Sequence, residues 1–185
     1  MQLSLEPGMV YRTQHFARWD SNPTRLVNRL VRQGHLRRLR QGLYHCPKPS
    51  RFGEVPPDDD ALLQAFLDET PYVVTGPERW NALQLGTTAL HAWPLVYNTK
   101  VSGDHQLGNR RFRFRRAAFP AEPSPEWFVV DLLRNLDSVG GDRDIVADRL
   151  RRRVQAETLD KDALWEAARR YGRRSEQAVV REALR

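Results

Sequence analysis

Between Ser21 and Gly53 the chain carries seven Arg and one Lys and not one Asp or Glu. Unpaired cations cannot enter a core without a large desolvation cost, so these 33 residues must turn one side to solvent or to an anionic partner. The flanks do not share the bias: residues 1–20 are neutral and residues 54–185 sum to minus one, which leaves the formal charge of +7 in this segment. Arg outnumbers Lys 27 to 3 over the whole chain, so a single arginine says little and the clustering without acids says more.

The segment has internal order. Asn22 suits a helix N-cap and Pro23 the first helical position, where a missing N–H costs nothing. Leu26, Val27, Leu30 and Val31 recur at the spacing of one buried helical face, and Gly34 closes the helix in the left-handed conformation. Thr24, Arg25, Asn28, Arg29, Arg32 and Gln33 are left on or beside the outer face. From His35 to His45 two short runs flank a glycine turn at Gly42, which reads as a β-hairpin. A short helix followed at once by a basic hairpin is the order of a winged helix-turn-helix. In such a unit Arg can bond guanine O6 and N7 in the major groove, and Asn or Gln can bond adenine N6 and N7. Thr24, Arg25, Asn28, Arg29 and Arg32 are therefore the expected readers, and Arg37, Arg38 and Arg40 on the wing are expected to meet phosphate or the minor groove. The plainer alternative is a solvated basic surface.

The chain is expected to be α+β. An N-terminal winged helix-turn-helix of residues 1–48 leads through a Pro-rich linker, 49–57, to a mixed α/β domain of 58–185 with a helical C-terminal part. Upstream of the recognition helix, residues 5–20 read as supporting helix. Asp58, Asp59 and Asp60 read as the capped start of a helix carrying Leu62, Leu63, Phe66 and Leu67, with a metal site the weaker alternative. Tyr72–Thr75 reads as a strand, and Gly76-Pro77 opens a helix that Gly86 ends. Residues 95–101 and 111–115 alternate as a half-buried antiparallel hairpin, whose Arg111, Arg113 and Arg115 face solvent, a second stretch of DNA or an acidic partner. Helices follow from Glu126 to the end.

Chemistry is thin. A single cysteine, Cys46, excludes an internal disulfide and a multi-cysteine zinc site. His15, His35, His45, His91 and His105 lack paired ligand spacing. There is no Gly-rich phosphate loop and no Gly-x-Ser-x-Gly. Neither Glu-x-Lys nor Asp-x-Lys occurs, which disfavours a metal-dependent nuclease. Asp131, set in an apolar helix, reads as a hydrogen-bonded structural acid, and Trp80, Trp93, Tyr97 and Trp127 read as core. No catalytic residue, metal or cofactor is expected. No apolar run approaches the roughly 20 residues of a membrane span. The start of the chain lacks the pattern of a signal peptide, so a cytoplasmic protein is expected.

The stretch Arg29-Leu30-Val31-Arg32-Gln33-Gly34-His35-Leu36-Arg37-Arg38-Leu39-Arg40-Gln41-Gly42-Leu43-Tyr44 resembles the end of the winged-helix domain of the AbiEi family of bacterial antitoxins. Thr75-Gly76, Leu85-Gly86-Thr87-Thr88, Val96-Tyr97-Asn98, Phe112-Arg113-Phe114-Arg115 and Val130-Asp131-Leu132-Leu133 resemble the second domain of its shorter members. The resemblance covers most of residues 5–137. It implies an antitoxin that binds inverted repeats in double-stranded operator DNA, represses its own toxin-antitoxin operon and opposes a nucleotidyltransferase-like toxin in phage defence. It extends a DNA-reading role to Thr24, Arg25, Asn28, Arg29, Arg32, Arg37, Arg38 and Arg40, and identifies no toxin-contacting residue. A free-standing winged-helix regulator with a ligand-sensing or oligomerising C-terminal domain is the alternative.

Overall fold

The computed structural model describes residues 3–85 and 93–185. Gly86, expected to end a helix, His91 and the Gly86-Thr87-Thr88 motif lie outside them. The described elements are β1 (Val10–Arg12), a 3-10 turn (Thr13–Arg18), α1 (Pro23–Arg32), β2 (Arg37–Arg40), β3 (Leu43–His45), β4 (Lys48–Ser50), β5 (Gly53–Val55), α2 (Asp59–Leu67), β6 (Tyr72–Thr75) and α3 (Pro77–Ala82). They continue with β7 (Leu95–Asn98), β8 (Gly103–Leu107), β9 (Arg110–Arg116), α4 (Pro125–Asn135), a second 3-10 turn (Leu136–Val139), α5 (Arg143–Gln155), α6 (Lys161–Tyr171) and α7 (Arg174–Ala183). The chain is α+β, with several sheets and a helical C-terminal part.

It divides into two compact units, and the boundary differs from a linker at 49–57. The first unit runs to Pro71 and takes in Lys100–Phe112; the second comprises Tyr72–Thr99 and Arg113–Arg185. In the first, β1, β3 and β2 form an antiparallel sheet in that order, beside α1. Tyr11, Phe16, Leu26, Val27, Leu30, Leu36 and Tyr44 make its core, and Trp19 packs against them. The start of the chain supplies a strand and a 3-10 turn rather than a supporting α-helix. Val10 and Tyr11 bury together in β1, whereas four-residue periodicity never develops before Trp19.

Residues 49–57 are not a plain linker. Lys48–Ser50 and Gly53–Val55 pair as a two-stranded ribbon, in which Pro49 is tolerated because a ribbon has edges that need no N–H. Ser50 Oγ closes its turn, donating to Gly53 O (2.7 Å) and accepting from Phe52 N (3.2 Å). The three aspartates do start α2: Asp58 accepts from Ala61 N (2.7 Å), and Asp59 and Asp60 occupy the first turn. At the other end of α2, Asp68 and Glu69 both take left-handed backbone (φ 58). Such residues persist only where neighbours hold them. Asp68 is held by Gln14 Nε2 (2.7 Å), Arg12 (3.6 Å) and Lys100 (3.4 Å).

In the second unit β6 runs antiparallel to β7, and β7 runs parallel to β9, with Leu95 opposite Arg113 and Tyr97 opposite Arg115. This corrects the expected antiparallel pairing of residues 95–101 with 111–115. The polar stretch Gly103–Leu107, too hydrophilic to announce a strand, forms β8 and turns through Gly108-Asn109 to hydrogen-bond with β9. With β8 between them in the chain, β7 and β9 point the same way. Helices α4 to α7 pack into one apolar cluster that includes Leu95, Tyr97, Trp127, Val130, Leu133, Leu150, Leu164 and Val180. Ser124, Asp142 and Asp160 cap α4, α5 and α6.

Candidate nucleic-acid interface

Helix α1 is built to show one face. Asn22 Oδ1 accepts from Arg25 N (3.0 Å), with Pro23 opening the helix. At the far end His35 N reaches Leu30 O (3.0 Å) and Gly34 N reaches Val31 O (3.1 Å), the paired bonds of a Schellman motif, and Gly34 supplies the positive φ of 80°. Burial of Leu26, Val27 and Leu30 fixes the rotation of the helix. Arg25, Asn28, Arg29 and Arg32 then fall at positions i, i+3, i+4 and i+7, a single exposed stripe with Thr24 beside it. Arg25 has a loose contact with Asp20 (3.8 Å) and stays 73% exposed. Among the described residues Arg29 and Arg32 make no ion pair.

The wing divides its arginines three ways. Arg38 is exposed. Arg37 meets Glu54 of β5 in a two-pronged pair, Nη2 to Oε1 at 2.6 Å and Nε to Oε2 at 3.1 Å. The hydrogen bonds raise the Arg37 pKa and lower that of Glu54. Glu54 is the first acid after the long basic run, and it neutralises one wing cation. Arg40 is turned to the other side of the strand from Arg38. A bulge between Arg38 and Arg40 leaves Leu39 unpaired, so Arg38 shares a face with Tyr44 and Arg40 with Leu43, the opposite face. Half-buried there, Arg40 Nη1 lies 3.4 Å from His105 Nδ1, and its guanidinium sits over Phe66 at 5.0 Å. The same bulge sends Leu39 against Gly108, where a Cβ would come within 2.9 Å of its side chain.

Residues passed over in the sequence join the surface. The ribbon β4–β5 carries Lys48 and Arg51, and at its tip Phe52 is 99% exposed. Their signal was present, since the acid-free run extends through Gly53, but four prolines between 47 and 57 read as linker.

His45 and Cys46 lie buried under the wing, where burial lowers the imidazole pKa and raises that of the thiol. A histidine whose folded pKa is depressed contributes stability that is full above its unfolded pKa and is lost as pH falls through it. Unfolding midpoints of the wild type should therefore drop below about pH 6.5, and His45→Gln should flatten that slope in a urea titration at pH 5 and pH 8. An unchanged slope would assign the acid sensitivity elsewhere.

The second unit's polar centre is structural in its bonding. Asp131, 2% exposed, accepts from Thr75 Oγ1 (2.6 Å), Trp80 Nε1 (2.9 Å) and Asn135 Nδ2 (3.1 Å). Burial raises its pKa despite these bonds, and burial beside it pushes Tyr97 up to about 12. Trp80, Tyr97 and Trp127 are core, whereas Trp93 is half-buried. The basic strand face is split: Arg111 belongs to the first unit, while Arg113 and Arg115 stand on the Leu95–Tyr97 face beside α4.

The chain is α+β, and α1 in its first unit exposes one basic stripe. Among solved structures, the crystal structure of the RV2827C protein from Mycobacterium tuberculosis is similar, with a TM-score of 0.58 at 12% identity, over 95% of this chain and 71% of that one. At that identity the likeness bears on fold alone. The chain matches no protein-family model and no curated protein sequence. Among the described residues no helix is long and apolar enough to cross a membrane.

Proposed function

We propose that the chain is a cytoplasmic, non-enzymatic DNA-binding antitoxin that represses its own operon. The observation that carries the DNA reading is the stripe Arg25, Asn28, Arg29 and Arg32, exposed on a helix whose opposite face is locked into a core. These side chains suit major-groove base edges, and Arg38, Lys48 and Arg51 suit phosphate. Phe52, beside Arg51, suits the minor groove, where apolar side chains wedge between base steps. Two copies on an inverted repeat would double the footprint. The antitoxin part rests on the resemblance to AbiEi proteins, which also supplies the partner, a nucleotidyltransferase-like toxin. Coexpression with the product of the neighbouring gene should restore growth and should require residues 58–185; failure on both counts removes this part.

The deciding experiment for the DNA part is affinity for the duplex upstream of the chain's own gene against a scrambled duplex, near 50 and 200 mM salt. With about six phosphates contacted, both affinities fall roughly a thousandfold across that range, and a preference for the upstream duplex survives. Absence of binding to either duplex would sink the reading.

Glu54→Gln releases Arg37 from its partner. The variant should bind both duplexes more tightly and steepen the salt slope by about one. Weaker binding would mean that the Arg37–Glu54 pair orders the wing rather than masking it.

A further inference from the structure

Where the end of α3, the start of α4 and the turn after α5 meet, the second unit has a cleft of about 340 Å³. Leu83, Leu85, Phe128, Val129 and Leu159 form its apolar wall, and Arg79, Arg153 and Thr158 supply its polar groups. Among the described residues no carboxylate lines it. The two arginines are held differently. Arg153, half-buried in the last turn of α5, donates from Nη1 to Leu83 O and from Nε to Thr158 Oγ1 (3.2 Å). The left-handed backbone of Glu157 (φ 54) brings Thr158 back onto α5, where its Oγ1 donates to Arg153 O (2.9 Å). Arg153 therefore braces the end of α3 against this turn, with two of its donor groups committed. Arg79 is exposed on α3 and makes no ion pair among the described residues; its guanidinium lies 6.0 Å from the centre of the Phe128 ring.

A cation at that distance from a ring is at the outer limit of the attraction, so the Arg79 guanidinium can turn to an anion at little cost. Its fork matches one carboxylate, two parallel N–H groups meeting two oxygens. The fixed charge of Arg153 favours the same sign of ligand without supplying a second fork, which suits a monoanion. The apolar wall sets a further requirement, because water leaves it only in favour of an apolar body. The volume falls at the small end of the roughly 300–1,000 Å³ of ligand pockets. We infer that this cleft binds a small amphipathic carboxylate, with the carboxylate on Arg79 and a short aliphatic chain against Phe128, Val129 and Leu159. The inference is independent of the DNA reading, since every residue of the cleft belongs to the second unit and α1 to the first.

Calorimetric titration of the full-length protein with octanoate, octylammonium and acetate tests it. Octanoate should bind with Kd below about 1 mM, octylammonium at least about tenfold more weakly, and acetate not detectably. Arg79→Gln removes the cation and should weaken octanoate at least about fivefold. Ala82 lines the cleft and is exposed, so Ala82→Phe fills the space from outside the core and should weaken octanoate at least about tenfold. Arg149→Gln, exposed on α5 and outside the cleft, should leave the affinity unchanged. All three positions are exposed, so a loss of affinity does not stand for a loss of fold. Wild-type affinity in Arg79→Gln or Ala82→Phe, equal binding of octylammonium, an equal loss in Arg149→Gln, or no binding of octanoate at millimolar concentration would each overturn the inference.

Discussion

Arg25→Ala and Arg29→Ala should each cost about 1–3 kcal/mol on the specific duplex and relax the preference for one base pair, while Arg38→Ala should weaken every sequence alike. The division follows from position. Arg25 and Arg29 share the exposed stripe of α1, and removing them leaves the Leu26, Val27 and Leu30 anchor intact. Alanine also favours the helix slightly, so lost affinity cannot be traced to unfolding. Among the described residues the ion pair broken is Arg25 with Asp20, at 3.8 Å with the arginine 73% exposed, which is worth little in water. Arg38 projects from a strand and, in the proposed complex, would meet the backbone of the duplex, where every sequence looks alike. Titration of the three variants against single-base-substituted duplexes separates the roles. Equal losses on specific and random DNA for all three would refute the division.

Asp131→Ala should cost about 2–5 kcal/mol of unfolding free energy, at roughly 1–3 kcal/mol for each buried donor left without its acceptor. The substitution strands Thr75 Oγ1 and Trp80 Nε1, both buried, and frees Asn135, which positions Arg115. Asp131→Asn should also lose stability, because its amide would set N–H groups against the Asn135 amide. The pH profile shows the carboxyl's own contribution. Burial raises the carboxyl's pKa, so the folded chain holds the proton more tightly than the unfolded chain does. Its contribution is greatest at low pH and declines as pH rises past the ordinary carboxylate range, a slope that both variants should lack. Chemical denaturation between pH 4 and pH 8 measures it, and a loss under about 1 kcal/mol at either end would show that the network is dispensable.

Local patterns were legible in the sequence and long-range ones were not. The α1 stripe, its Asn22 and Gly34 ends, the Gly42 hairpin and the Asp58 cap are all set by residues within a few positions of one another, so spacing alone reveals them. The side that Arg40 faces was not legible, because one extra residue in β2 changes which side a strand residue takes and nothing in Arg38-Leu39-Arg40 announces it. The β7–β9 pairing was missed for a related reason: Phe112 and Phe114 alternate with arginines whatever their partner strand, and direction depends on the polar β8. Pro49 hid the ribbon, since a proline argues against a strand that has neighbours on both sides. Asp131 stood out as an acid in an apolar helix, but its partners Thr75 and Trp80 lie more than fifty residues away.

The unit that carries α1 is not contiguous in the chain. It stops at Pro71 and resumes with Lys100–Phe112, which brings Arg110 to Asp59 (2.5 Å), Lys100 to Asp68 (3.4 Å), His105 to Arg40 and Gly108 to Leu39. During translation, at roughly 5–20 residues per second, the first 71 residues must therefore wait several seconds in a half-finished state. A nascent chain cannot complete the unit that carries α1 until residue 112 has cleared the ribosome. A gene fragment cut after the basic run would encode α1, β2 and β3 without the residues that take up Arg40.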